Sequence, residues 1–298
     1  MKNSRSRFVD VRGLRYHLRE WGAPGADKLF LLHGWMDASP SFQFLVDALT
    51  RDWHVIAPDW RGFGRSEWRG DCYWFPDYLA DLDAILAAES PAAPARLVGH
   101  SMGGNVALLY AGVRPARVAA AVSLDAFGLV DRAAAQAPDR YAQWLDELAA
   151  PAVFRAYADP AALAARLQRD NPRLAAVRAG WLAENLGVHT ADGFRIAGDP
   201  AHRRVNPVLY RRAEAEACWR RIVAPVLWIE PEQDALRRRL GVSDAAHEAA
   251  RACFARLQVE RVADAGHNLH HDQPAVVAGI IERFLMSNQS ALCPDSEA

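Results

Sequence analysis

Lysine is nearly absent from this chain of 298 residues, which carries only Lys2 and Lys28, and there are only four cysteines. Positive charge therefore comes almost wholly from arginine, and the formal net charge is −1. No strong field of one sign is available to gather nucleic acid or an anionic membrane. Cys72, Cys218, Cys253 and Cys293 are scattered and form no C-x-x-C pair. That spacing points to neither a thiolate metal site nor a disulfide framework, and it fits a reducing compartment. No run is long and apolar enough to suggest a transmembrane helix. The opening "MKNSRSRFVDVRG" lacks the apolar core of a signal peptide, so a cytoplasmic location is expected. Internal repeats and low-complexity tracts are also missing, apart from an alanine bias.

What is present is the material for a large core: 51% of residues are apolar and 24% charged. "RFVDVRGLRYHLREWG" reads as two strands around a turn at Arg12-Gly13. "KLFLLHG", "HVIAPDW", "ARLVGH" and "RVAAAVSLDA" are short apolar runs, as in strands buried on both faces. Helical periods in "SFQFLVDALT", "YLADLDAILAAE" and "MGGNVALLYAGV" alternate with them. The alternation predicts an α/β fold with a parallel, doubly wound sheet. From Phe127 to about Arg221 the rhythm breaks into an Ala- and Arg-rich, proline-punctuated stretch of helical period with no evident buried strand. Strand character returns at "IVAPVLWIE" and "LQVERVA", each followed by a helical pattern. The expected organisation is a core of residues 1–126 and 222–287, an inserted helical cap of residues 127–221, and a disordered tail from 288 to 298.

One short stretch carries chemistry. Gly99-His100-Ser101-Met102-Gly103 fits G-x-S-x-G between an apolar strand and a helix. A turn that tight needs small neighbours and exposes the serine hydroxyl at the carboxyl edge of the sheet, beside the N–H groups of the following helix. A serine hydroxyl is a weak nucleophile without a base, and the base needs an orienting acid. His267, after the last strand-like segment and freed by Gly266, is the expected base; His270 and His271 are expected to face solvent or the final helix. Asp234 is taken as the acid, with Asp125 as the alternative, since each follows a strand that could set a carboxylate behind His267. Backbone N–H groups of Trp35 and Met102 are the expected oxyanion donors, with Gly34 allowing the turn and His33 bracing it.

Taken together, "LLHGW", "APDWRGFGRS", "VGHSMGG", "PVLWIEPEQD" and "AGHNLHHDQP" resemble the α/β-hydrolase superfamily in order and spacing. The likeness runs along nearly all of the chain except the insertion, and leans toward the capped branch of esterases, epoxide hydrolases and serine-hydrolase-like proteins. It implies an α/β-hydrolase fold with a helical cap inserted after the sixth strand. It also implies that Asp59 to Ser66 shape the floor of the site without being catalytic. Relatives that open epoxides or remove halide carry aspartate as nucleophile where this chain has Ser101. The resulting expectation is a cofactor-independent, metal-free carboxylesterase acting on a small hydrophobic ester. Alternatives are a carbon–carbon bond hydrolase or a thioesterase with the same triad, and a ligand-binding receptor. Trp60, Trp74, Phe127 and Trp144 are the expected pocket aromatics. No nucleic-acid or membrane partner is expected, and the chain is expected to be a monomer or homodimer.

Overall fold

The computed structural model describes residues 1–70, 72–233 and 235–288. The chain opens with a hairpin of β1 (Ser4–Val11) and β2 (Leu14–Trp21). Arg12 and Gly13 join them with φ of 54° and 75°, the left-handed pair that a two-residue hairpin turn of matching twist requires. There follow β3 (Asp27–Leu32), α1 (Gln43–Ala48), β4 (Trp53–Pro58), α2 (Phe75–Glu89), β5 (Ala95–His100), α3 (Met102–Val113) and β6 (Val118–Leu124). The insertion holds α4 (Ala137–Ala149), α5 (Pro160–Asp170), α6 (Ala176–Leu186), β7 (Gly187–Thr190), β8 (Gly193–Ile196) and α7 (Arg212–Trp219). The chain then completes the sheet with β9 (Val226–Pro231), α8 (Ala235–Arg239), α9 (Asp244–Arg251), β10 (Leu257–Val262), α10 (Leu269–Asp272) and α11 (Pro274–Ser287).

Eight strands form one sheet in the order β1-β2-β4-β3-β5-β6-β9-β10. Only the β1–β2 and β2–β4 pairings are antiparallel; every pairing from β4 to β10 is parallel. Every residue of β4 and β6 is buried, as their unbroken apolar runs require of strands covered on both faces. One face packs against α2, α3, α7 and α9 through Leu82, Val106, Trp219 and Ala250. The other packs against α1 and α11 through Leu45, Val277, Ile281 and Phe284. This is the α/β-hydrolase fold, with the insertion leaving the sheet after its sixth strand.

The insertion is not wholly helical. β7 and β8 form a small antiparallel hairpin whose Phe194 is buried against Leu163 and Ala183. Each strand has four residues, too short to register as an apolar run. Backbone bonds seat the insertion on the loop after β4: Asp199 N–H donates to Gly62 O at 2.7 Å, and Gly64 N–H to Ala197 O at 2.9 Å. Cys218 and Cys253 carry free thiols, and no helix among the described residues is long and apolar enough to cross a membrane. Of the tail expected from residue 288, all but Asn288 lies outside the described residues.

One very close approach in the core is at the start of α3. A Cβ on Gly103 would stand 2.0 Å from the carbonyl oxygen of Leu32, whereas one on Gly180 in α6 would meet nothing within 4 Å. Gly103→Ala is therefore expected to cost at least about 1–3 kcal/mol, and Gly180→Ala to stabilise by about 0.5–1 kcal/mol, both read from urea unfolding midpoints.

Histidine burial is unusually heavy. His33, His100, His202, His270 and His271 are all buried, and desolvation lowers each below the ordinary imidazole value, His33 to about 4 and His202 to about 3. Asp37 opposes them, its carboxyl raised by burial to about 7. Below the unfolded imidazole value of about 6.5 the unfolded chain binds protons that the folded imidazoles refuse, so stability falls as pH drops toward 4. Five imidazoles outweigh one carboxyl, and the melting temperature is expected to be lower at pH 5 than at pH 7 in calorimetry at constant ionic strength.

Candidate active site

Strand β5 turns into α3 through Ser101, which takes φ 50° and ψ −114°, a conformation that non-glycine residues rarely adopt. The turn is held by Ser101 N–H donating to Leu124 O at 3.0 Å, and by Asn105 N–H donating to Ser101 O at 3.0 Å. Small residues make it possible, since a Cβ on Gly99 would lie 2.3 Å from the Gly103 backbone. The Ser101 hydroxyl stands 3.0 Å from Nε2 of His267.

On its other side His267 places Nδ1 2.6 Å from Oδ2 of Asp125. Asp125, the alternative acid of the sequence reading, is thus the carboxylate beside His267, and Asp234, the favoured one, lies outside the described residues. Asp125 follows β6, the strand beside β5, and has φ 45° with its N–H donating to Ile229 O at 2.9 Å. Aspartate tolerates this left-handed conformation better than most residues, and it turns the carboxylate back over the sheet edge. Its place one strand from the nucleophile was the available sequence signal.

His267 sits between β10 and α10 and is held by its main chain. Nε2–H of His100 donates to the carbonyl of His267 at 2.9 Å, and Gly266 N–H donates to Asp272 at 2.8 Å. His270 and His271 do not face solvent: both are buried, with Nε2 atoms 3.2 and 2.7 Å from Ser41 Oγ. The loop after β3 brings Ser41 under α10, a pairing 230 residues apart that no local pattern records.

The expected oxyanion donors flank the serine. Met102 is the first residue of α3, where an N–H has no intrahelical acceptor. Gly34 lies so near that a Cβ on it would come within 3.4 Å of Ser101 Cβ. His33 braces this loop: Nδ1–H donates to Gly34 O at 2.7 Å, and Nε2 accepts from Trp60 N–H at 2.8 Å. The Trp60 indole donates to His33 O at 3.1 Å. Beside it Asp59 accepts from Ser39 and Arg65 N–H groups at 2.7 and 2.9 Å and from His17 at 2.7 Å. Burial alone would raise that carboxyl, but the His17 hydrogen bond and the neighbouring donors outweigh it and hold it at about 2.

A cavity of about 420 Å³ opens on Ser101, within the usual range for small-molecule sites. Trp35, Trp74 and Trp144 line it, the last two with ring centroids 6.3 Å apart. Trp60 and Phe127 do not line it. Trp60 is wholly buried as a brace of the His33 loop, and Phe127 is packed among Trp219, Trp228 and His247. Residue type alone suggested both for the pocket, but both are buried in the core, Trp60 with its indole N–H donating to His33 O and Phe127 among aromatic rings. Tyr73, Asn105 and His202 line the cavity unforeseen. Asn105 Oδ1 accepts from Gly128 N–H at 2.7 Å, tying α3 to the start of the insertion. The His202 ring is stacked between Phe63 and Tyr73 at 3.7 and 3.5 Å.

Residues 28–274 match the family model described as alpha/beta hydrolase fold. Among curated relatives, a serine hydrolase-like protein of Danio rerio is 38% identical over 112 residues, 37% of this chain and 34% of that protein. Epoxide hydrolase A of Mycobacterium tuberculosis is 36% identical over 125 residues, 40% of this chain and 37% of that protein. These matches span about a third of the relatives' length. Two solved structures share the fold: a thioesterase domain from the curacin biosynthetic pathway and E-2-(acetamidomethylene)succinate hydrolase. The first has TM-score 0.83 and 24% identity, with 94% of this chain and 99% of that chain covered. The second has TM-score 0.76 and 24% identity, with 95% and 100% covered. A family match along most of the chain, on a sheet of this order with a serine at the strand–helix turn, places the protein in the α/β-hydrolase fold family.

Proposed function

We propose that the protein is a serine hydrolase that cleaves carboxylic esters through an acyl-enzyme. The observation that carries the reading is the relay from Ser101 Oγ to His267 Nε2 at 3.0 Å and from His267 Nδ1 to Asp125 at 2.6 Å. In this scheme Ser101 Oγ attacks the ester carbonyl while its proton passes to His267 Nε2. Asp125 keeps the ring in the tautomer that can accept that proton and stabilises the imidazolium that results. The oxyanion is met by the N–H groups of Trp35 and Met102, each worth about 2.7–4 kcal/mol of transition-state stabilisation. Collapse breaks the ester C–O bond, and the departing alcohol takes the proton from His267. Water then attacks the acyl carbon, giving its proton to the same nitrogen, and Ser101 leaves with it as the acid is released.

The tryptophans at the cavity wall favour an acyl group with apolar surface, and Arg140, Arg203 and Arg239 on the same wall leave room for a polar or anionic end.

Ser101→Ala is expected to lower turnover of p-nitrophenyl acetate by about 10⁵- to 10⁶-fold with an unchanged circular-dichroism spectrum; retained activity would refute the assignment. Asp125→Asn is expected to cost about 10⁴ in turnover, and Asp234→Asn far less; the reverse ranking would move the acid to Asp234. Short-chain esters are expected to be turned over faster than matched thioesters or a dienoate ring-fission product, and preference for either of those would replace the ester reading.

A further inference from the structure

The triad leaves one buried polar group unused beside it. Asp37, His100 and His270 bring a carboxylate oxygen and two ring nitrogens within 4.8 Å of one another. Nδ1 of His100 and Nδ1 of His270 are both buried and have no hydrogen-bond partner among the described residues. The opposite ring atoms explain why. Nε2 of His100 faces the carbonyl of His267 at 2.9 Å, and a carbonyl can only accept, so the proton resides on Nε2 and Nδ1 presents a lone pair. Nε2 of His270 lies 3.2 Å from Ser41 Oγ, a group able to accept in the same way. The two rings lie with centroids 4.4 Å apart, each with a bare buried Nδ1, in one cluster with the Asp37 carboxylate. Burying lone pairs against each other is costly unless a proton or a cation lies between them. An outer hydrogen bond that fixes the tautomer of an inward-facing imidazole is the arrangement found around metal-bound histidines.

We propose that Asp37, His100 and His270 form a binding site for a divalent transition-metal ion of the zinc class. Two imidazoles and one carboxylate suit such an ion better than calcium or magnesium, which prefer all-oxygen sites. Tetrahedral zinc with bonds of about 2.0–2.1 Å sets neighbouring ligand atoms roughly 3.3 Å apart, so three side chains need close only modestly. Asp37 as a residue keeps some exposure while the two rings are covered, so its side of the cluster lies nearest solvent although its carboxyl is buried. Asp37 lies two residues after Trp35, His100 directly precedes Ser101, and His270 is one turn beyond His267. A bound ion would clamp together the segments that carry the oxyanion donor, the nucleophile and the base. Sequence spacing could not show the site, because its ligands come from three distant segments.

Zinc chloride titrated calorimetrically into full-length protein dialysed against EDTA is expected to bind one equivalent with micromolar or tighter affinity and to raise the melting temperature. His270→Ala and Asp37→Asn should each weaken binding by about 100-fold or more, while His267→Ala and Cys72→Ser should change it by less than about threefold. Cobalt(II) should give visible absorption in the wild type that is lost in both ligand variants. No saturable binding to the wild type would overturn the proposal. So would binding that survives both His270→Ala and Asp37→Asn, or binding lost in His267→Ala yet kept in His270→Ala, which would place the ion on the triad. Circular dichroism checks each variant's fold, and Asp37→Asn, at the most accessible ligand, decides the matter if His270→Ala does not fold. None of these readouts depends on esterase activity.

Discussion

Strand β5 can pass into helix α3 only because the backbones of Gly99 and Gly103 touch where side chains would otherwise stand, and that contact governs the rest of the site. It forces Ser101 into a left-handed conformation and thrusts its hydroxyl off the sheet edge. The same close approach seats Gly103 on the carbonyl of Leu32, at the end of β3. The loop that follows β3 is thereby fixed relative to the first turn of α3, and with it the two expected oxyanion donors. Backbone strain of about 1–3 kcal/mol at one serine is supported by burial on both faces of the sheet. Nucleophile and loop are placed by packing rather than by any bond between them.

Around that turn lies a rigid polar frame. Asp59 gathers N–H groups from Ser39 and Arg65 and a ring nitrogen of His17, and Ser66 Oγ–H donates to the Asp59 carbonyl at 2.6 Å. His33 joins the loop after β3 to the loop after β4 with one nitrogen each. Such groups are expensive to bury unpaired, so their mutual satisfaction leaves the loops little choice of conformation. Preorganisation of this kind suits a site that must receive negative charge without rearranging.

The insertion contributes more than a roof. It supplies Trp144 and His202 to the cavity wall, and it grips the loop of the base from above. Asn171 Nδ2 donates to Asp272 at 2.6 Å while Asp272 accepts from Gly266 N–H at 2.8 Å, and Arg178 donates to the His271 carbonyl at 2.5 Å. The segment carrying His267 is thus anchored by the insertion on one side and by His100 on the other. Changes at Asn171 or Arg178 in the insertion therefore reach the segment that carries His267 through Asp272 and the His271 carbonyl.

Local chemistry determined much of this protein. Apolar runs bounded by glycine and the G-x-S-x-G turn obey short-range rules of sterics and hydrogen bonding, so the parallel sheet, the insertion after β6 and the strand-to-helix turn at Ser101 were legible from residue types and spacing, with a histidine after the last strand, His267, expected beside it. Tertiary structure decided what depends on which strand lies beside which. Placing β6 next to β5 is what carries Asp125 to the imidazole, and two aspartates following two strands look alike until the order of the sheet is known. Sheet and insertion likewise divided the aromatics between core and cavity, sending Trp60 and Phe127 inward and Trp74 and Trp144 to the wall. They also gathered Asp37, His100 and His270 from three segments into one cluster. Burial and convergence are properties of the whole packed chain, and composition and period, which act over a few residues, cannot encode them.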